Sequence, residues 1–471
     1  MTMHEAASPA TTGRVPAPKP PSYGLRYGAL FGPVVFGVTA AGVALPDVAS
    51  ALDASPTATG WVLTAHALAL GVGTALFGRI ADTRGVRATL LLGSLVLVAG
   101  AVVCLVAPSL GVLVAGRFVQ AAGSGAMAAC AMALTASVPP DRRARAFAGF
   151  GATMAVFSAG ATLAGGVLTE WVTWRVALVL PALSLLVVPL CLAGAPARRN
   201  SGKGTGRAKG TDRGTDRAMD LPGAVLLTLT AMSFLVLIQS SALALSTPPV
   251  TVTAAVLLLS AAGLTWRIRV SETSFVPRAL VADRVFLRAA VIGIGVYAGL
   301  FAALYAVPQL LVRDHGWSVL SVGLRLLPGA AVGAALSRVA GRLTAGDHGN
   351  RLLGAVSLAF AVALAGALTG SGALLLILGA SLGFSAFSVT QVCTTALMSE
   401  HIEPARRGGA MGLLNLTFFV GGGVGSATAG ALAKAMPLST ALGVVALFPL
   451  AAALVAFAPA RRAGSRPPRS G

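Results

Sequence analysis

The sequence predicts an all-α protein that threads a membrane fourteen times, and three observations carry that expectation. Hydrophobic residues make up 56% of the 471 and charged residues only 11%, whereas a soluble chain of this length splits into domains with far more charge on their surfaces. Apolar stretches of about 20 residues, the length that spans a bilayer, recur fourteen times. Lys and Arg concentrate in alternate connections between them. The net charge of +20 follows from that asymmetry, the positive-inside rule, and requires no nucleic-acid partner.

The stretches lie near 29–46, 59–78, 88–107, 110–135, 146–168, 175–194, 222–243, 250–266, 289–311, 318–337, 352–370, 373–397, 409–432 and 438–459. An even number places both ends on one side, assigned to the cytoplasm because 30 of the 35 cationic residues fall there. The exceptions are Arg117, Arg175, Arg313, Arg325 and Lys434. Residues 1–28 read as a polar, Pro-rich, disordered cytoplasmic tail without the apolar core of a signal peptide. A first six-helix bundle spans 29–194, and a Gly-rich basic linker with few apolar residues spans 195–221. Two inserted helices with a cytoplasmic segment span 222–288. A second six-helix bundle spans 289–459, and a basic cytoplasmic tail spans 460–471. The segment 337–351 echoes 78–87 faintly, as a parallel repeat of six-helix units would. Cys104, Cys130, Cys191 and Cys393 sit inside apolar stretches without disulfide or metal spacing and read as small core residues.

The charged turn GRIADTRGVR at 78–87 is the most informative stretch, because it interrupts two long apolar runs. Its Gly78, Asp82, Arg84, Gly85 and Arg87 resemble the loop after the second helix in the major facilitator superfamily. Other motifs agree in order. Val43-Ala44-Leu45-Pro46 closes helix 1, Trp61 opens helix 2, and Arg117-Phe118-Val119-Gln120 with Gly123 and Gly125 lies in helix 4. Gly165-Gly166 ends helix 5, followed by Trp174-Arg175 and Pro181. Asp220-Leu221-Pro222-Gly223 opens helix 7, and Gly323-Leu324-Arg325-Leu326-Leu327-Pro328 lies in helix 10. Together they resemble the fourteen-helix drug–proton antiporter branch, which contains multidrug and antibiotic-resistance exporters. The resemblance implies a major facilitator fold of 6 + 2 + 6 helices and a secondary exporter of a small amphipathic compound. It also implies coupling to protons in a cell membrane. The scarcity of Lys beside heavy Arg, Ala and Gly use suggests a GC-rich bacterial genome.

The same resemblance makes the 78–87 turn a conformational latch between the halves, with Asp82 docking at a neighbouring helix N-terminus, where free N–H groups favour an anion. The plainer reading is that its arginines only hold the loop inside. Arg117 lies about eight residues into helix 4, at a depth that costs roughly 2.5–3.5 kcal/mol on insertion scales, so it should face protein or a wet cavity. Gln120 shares its face. The resemblance gives the pair roles in coupling and substrate contact, against a bracing role on backbone carbonyls. His66, at similar depth in helix 2, titrates in a useful range and reads equally as a packed residue or a proton relay. Tyr297, Tyr305 and Gln309 in helix 9, Gln391 in helix 12 and Asn415 in helix 13 are candidate cavity residues, or interhelical glue.

Two departures from the branch stand out. Gly37 and Gly42 occupy helix-1 positions where the branch usually carries an acidic residue and an asparagine, and Ala161-Thr162 replaces its Gly-Pro. No acidic residue falls mid-membrane, so a neutral or anionic substrate suits the charges better than a cationic one. An uncoupled facilitator or an uptake transporter of such a molecule is the alternative. An enzyme is disfavoured, since the apolar stretches hold no metal cluster and no nucleophile–base pair. No cofactor is expected, no Walker motif appears, and the partners foreseen are substrate, protons and lipid around a monomer.

Overall fold

The computed structural model describes residues 23–194, 220–238, 240, 247–271, 274–343, 347–370, 372–403 and 407–458. The expected linker (from 195 to 219), most of the N-terminal tail and the C-terminal tail lie outside the described residues. Fourteen helices among them are long and apolar enough to cross a membrane. The first six are α1 (Tyr23–Ala51), α2 (Pro56–Arg84), α3 (Val86–Val106), α4 (Leu110–Ala136), α5 (Pro140–Trp171) and α6 (Trp174–Ala193). The inserted pair is α7 (Leu221–Ile238) and α8 (Thr247–Val270). The last six are α9 (Arg284–His315), α10 (Val319–Leu343), α11 (His348–Thr369), α12 (Ala373–His401), α13 (Arg407–Leu432) and α14 (Leu438–Phe457). The described residues contain no strand, as expected where lipid leaves the backbone no outside partner.

Polar side chains set the ends. Ser55 accepts the Ala58 N–H to cap α2, and Asp283 accepts from Val285 and Phe286 to cap α9, satisfying donors a helix start leaves open. Gly85 alone joins α2 to α3 at φ 88°, a conformation that side chains with a Cβ resist. The structure extends several helices beyond their apolar stretches: α2 runs on to Arg84, so most of the expected 78–87 turn is helical and only Gly85 breaks it, and two helices start early. α1 begins at Tyr23, ahead of 29, with Tyr27 buried in the core and Arg26 lying 5.9 Å from its ring. α5 begins at Pro140, so Arg142, Arg143 and Arg145 ride its first turns rather than a loop. Charged residues at helix ends break an apolar run without breaking a helix.

Packing repeats with the halves exchanged. α1 packs on α5 as α9 packs on α13, and α2 on α4 as α10 on α12. Two seams join the halves, α2 against α13 and α5 against α10, which is the same pairing seen from each side of a pseudo-two-fold axis along the membrane normal. α7 and α8 pack mainly on each other at the flank, and α7 touches α2 and α13. α8 turns Leu258, Leu259 and Trp266 outward, the apolar surface that lipid requires.

Candidate functional site

Among the described residues, the first half buries a cation that no carboxylate meets. Arg117 is fully buried in α4. One of its amino groups donates to Gln120 Oε1 at 2.8 Å and to the Leu178 carbonyl at 2.9 Å, and the other donates to the Gly37 carbonyl. Gln120 itself donates to Leu178 at 3.1 Å. The guanidinium thus ties α1, α4 and α6 through neutral oxygens, the bracing arrangement; charge-assisted hydrogen bonds are the strong kind. His66 of α2 is fully buried beside it, and neither ring nitrogen has a hydrogen-bond partner among the described residues. Its imidazole fills the space left by Gly37: a Cβ there would stand 2.3 Å from Nε2. Where the antiporter branch usually carries an acid on α1, this chain therefore packs a histidine from α2.

Among the described residues, cavities between the halves include one near the middle and one near an end. The midplane cavity holds about 20 Å³, room for about one water. Its twelve lining residues are Phe31, Val34, Val35, Val38, Thr39 and Leu70 of the first half, and Leu300, Phe301, Leu304, Phe384, Phe387 and Phe419 of the second. None of the candidates His66, Arg117, Gln120, Tyr297, Tyr305, Gln309 or Asn415 is among them. Only Thr39 is polar, and its hydroxyl donates to the Val35 carbonyl. Near the opposite end from the Arg79–Arg87 turn lies a larger cavity of about 150 Å³, lined by Leu45, Pro46, Ala49 and Thr59 with Gln309, Val312 and Arg313. Gln309 donates to the Tyr305 carbonyl within α9, so helix 9 lines both cavities, the middle one through Leu300, Phe301 and Leu304 and this one through Gln309, Val312 and Arg313.

Tyr297, Gln391 and Asn415 instead meet one turn below the midplane cavity, towards the basic end. The Tyr297 hydroxyl donates to Gln391 Oε1 at 2.7 Å. The Gln391 and Asn415 amides both donate to the sulfur of Met132 in α4, at 3.6 and 3.1 Å. All four side chains are buried.

At the basic end the halves are tied. Asp82 Oδ2 accepts the Gly409 N–H at the start of α13 at 2.8 Å, the docking on a helix N-terminus that the sequence suggested. Arg84 and Arg87 stand exposed. The guanidinium that reaches across is Arg79, which donates to the carbonyls of Ser274 at 2.7 Å and Phe275 at 3.3 Å. Asp220 holds that same strip from the other side. It accepts from Gly223 and so caps α7, from the Phe275 N–H at 2.8 Å, and from Arg267 of α8 at 2.6 Å. Burial pushes the Asp220 carboxyl up, but these three donors outweigh it and leave the group below the usual carboxylate range. Neither Arg79 nor Asp220 stands out in the sequence as functional, although an Asp three residues before Gly223 is a visible cap signal. At the α5–α10 seam, Thr162, which replaces the branch's proline, points its hydroxyl at the Gly323 carbonyl, 3.5 Å away.

Comparison with known proteins places this geometry. A family profile described as Major Facilitator Superfamily matches residues 29–425. The puromycin resistance protein pur8 of Streptomyces alboniger is 34% identical over 195 residues, 41% of this chain and 36% of that protein. The cephamycin export protein CmcT of Amycolatopsis lactamdurans is 33% identical over 201 residues, 41% of this chain and 38% of that protein. The matched stretch thus spans little more than a third of either relative. The multidrug resistance protein Stp of Mycobacterium tuberculosis is 26% identical over 83% of this chain and 72% of its own length. Among solved structures, the human organic anion transporter MFSD10 superposes with a TM-score of 0.58 at 16% identity, covering 93% of this chain and all of that one. The proton:xylose symporter XylE gives the same score at 13% identity, covering 92% and 94%. These two share the fold.

Proposed function

The chain belongs to the major facilitator superfamily, as a multi-pass membrane transporter and not an enzyme, and we propose that it exports a small amphipathic compound from the cytoplasm by proton antiport. In this reading the basic end faces the cytoplasm, as the positive-inside rule asks. The observation that carries it is the asymmetry between the two ends. Asp82 ties α2 to α13 at the basic end while about 150 Å³ stands open between α1, α2 and α9 at the other. A molecule closed inside and open outside is one of the two states that alternating access needs. The 78–87 turn, with Gly78 buried in α2 and Gly85 turning the chain, then acts as the latch of that state. Resistance and export relatives support a drug, antibiotic or natural product as cargo.

Coupling falls to His66, the titratable side chain set against Arg117 and Gly37 in the first half. A proton arriving there acts on α1 and α2 directly, because the ring fills the Gly37 notch. Arg117 and Gln120 then serve as the frame that holds α1 and α6 in place. A second reading, uncoupled movement of a neutral or anionic molecule, is favoured by one observation: Gly37 and Gly42 leave α1 without the acid on which antiporters of this branch usually carry protons.

Proteoliposomes enclosing a pH-sensitive dye, given an imposed proton gradient and challenged with puromycin, a cephamycin and an uncharged amphiphile, separate the two. Substrate-triggered proton movement that His66→Ala abolishes supports antiport. Substrate movement with no proton flux establishes the uncoupled reading and overturns antiport.

A further inference from the structure

Three helices of the second half share one register around the midplane. Each places a phenylalanine on the cavity and a polar side chain four residues nearer the basic end: Phe301 and Tyr297 on α9, Phe387 and Gln391 on α12, Phe419 and Asn415 on α13. Residues four apart in a helix stack on one face, so the three pairs form an aromatic layer above a polar layer. The layers are in contact. The Tyr297 ring lies 6.3, 5.2 and 5.4 Å from the centroids of Phe301, Phe387 and Phe419.

The polar layer is organised to donate. The Tyr297 hydroxyl occupies Gln391 Oε1, which turns the Gln391 NH₂ towards the first half, where it meets Met132 Sδ alongside the Asn415 NH₂. A thioether is a weak acceptor. Two buried amide donors aimed at one sulfur are therefore poorly satisfied in a region where amide donors ordinarily find oxygen. Met132 belongs to the other half, and in the alternating-access reading it leaves with that half when the basic end opens.

We propose that Gln391 and Asn415 are the hydrogen-bond donors for an uncharged, acceptor-bearing substrate, with Met132 as the place-holder that occupies them while the basic end is shut. A carbonyl, ester or ether oxygen takes the two amides in place of sulfur, and the phenylalanine layer takes the compound's flat apolar body. Among the described residues no carboxylate lines the cavity or this layer, so an organic cation finds no partner there. The inference rests on the alternating-access reading and deepens it by naming the substrate class.

A matched coumarin set tests it: uncharged 7-diethylamino-4-methylcoumarin, the 7-diethylaminocoumarin-3-carboxylate anion, and a trimethylammonium derivative of the same chromophore. Each is titrated by fluorescence against the full-length protein in lipid nanodiscs, with empty discs subtracted. The uncharged dye is expected to bind at least tenfold more tightly than the cation. Gln391→Leu and Asn415→Leu should each weaken it about twofold to tenfold, the range of one neutral hydrogen bond. Tyr297→Phe keeps the ring and should weaken it less. Met132→Leu conserves volume, removes the resident acceptor and should tighten binding about twofold to threefold. That opposite sign separates a donor site from mere packing.

Equal binding by Gln391→Leu, Asn415→Leu and the parent overturns the proposal, as does Met132→Leu that weakens binding like the others, or no binding by any dye. Dye bound through Gln391 and Asn415 but never carried across proteoliposomes leaves the site standing and removes the export reading. Dye carried across without dependence on either amide does the reverse.

Discussion

Gly37→Ala puts the packing of the first half to a direct test. The added Cβ would lie 2.3 Å from His66 Nε2, 2.5 Å from Cε1 and 3.1 Å from Pro181 Cγ. Ordinary contact begins near 3.4 Å, so the imidazole must retreat by about 1 Å inside a close-packed bundle. Overpacking of that size costs about 1–3 kcal/mol. The Gly37 carbonyl also receives Arg117, so any shift of α1 loosens the brace as well. His66→Ala relieves the clash, and it removes two buried ring nitrogens that lack partners, each a group whose burial carries a desolvation cost. The assay is a double-mutant cycle on thermal unfolding in detergent, with the parent, each single variant and the pair. The pair should be more stable than the sum of the singles predicts by at least about 1 kcal/mol, as contacting residues typically couple. Additivity within about 0.3–0.5 kcal/mol, the behaviour of independent sites, would mean that His66 does not occupy the Gly37 notch, and the coupling role argued from that contact would fall with it.

Asp82→Asn weakens a carboxylate at a helix N-terminus, an interaction worth about 0.3–1 kcal/mol, so the basic end should open up to about fivefold more often; thiol labelling of Ser337→Cys, buried at the α5–α10 seam, in a cysteine-free background reads the change. Unchanged labelling denies Asp82 the latch. Asp220 has a depressed folded pKa, so its stabilisation is fully present above the ordinary carboxylate value of 3.8 and is lost as pH falls through the lower folded value; the melting temperature of the parent should drop on acidification below about pH 4 more steeply than that of Asp220→Asn. Parallel pH profiles would remove Asp220 from the strip that Arg79 grips. Thr162→Val should change stability by less than about 0.5 kcal/mol, because a 3.5 Å hydroxyl contact sits at the limit of hydrogen bonding; a larger loss would make it a true tie across the seam.

The fourteen spans are legible in the sequence because lipid forces one unbroken apolar run per crossing, and Arg117 is legible because a charge at that depth has few explanations. Its neighbour Gln120 follows from helical spacing alone. The partners of both are not legible, since they are backbone carbonyls of Gly37 and Leu178 on other helices, and every residue carries a carbonyl. Gly37 reads in sequence as a missing acid, yet in space it is the notch for His66. Arg79 is indistinguishable from Arg84 and Arg87 on the page, and only the three-dimensional placement of α2 and the start of α3 decides which of the three meets the 274–275 strip. The height of Tyr297, Gln391 and Asn415 relative to the cavity is illegible for a similar reason. Tyr297, Gln391 and Asn415 lie on the correct helices and the correct face, but one turn below the cavity. Hydropathy locates a helix in the membrane to within a few residues, which is about the length of that turn.

Helix α2 links the three functions that the geometry separates. His66 meets the Gly37 notch, Leu70 lines the midplane cavity one turn later, and Asp82 docks on α13. From His66 to Asp82 is sixteen residues, about 24 Å at the helical rise. α2 is also one side of the α2–α13 seam, and it contains no internal proline to break it. A rigid element with one end in the coupling notch and the other in the latch transmits by displacement. In the proposed antiport, charging of His66 beside the Arg117 guanidinium would push the ring from Gly37, and a shift of α2 there would carry Leu70 in the cavity wall and Asp82 at the Gly409 N–H with it. Among the described residues the second half buries no corresponding cation; its polar layer faces the seam with neutral amides. The proposed function then divides the labour: the first half would sense the proton, the second half would read the substrate, and α2 against α13 is where the two meet. A flexible break in α2, made by Gly-Gly in place of Val72-Gly73, should therefore leave substrate binding and proton binding intact while uncoupling them, so that proteoliposomes dissipate the proton gradient or move substrate independently. Coupling that survives the break would place the connection elsewhere, in α1.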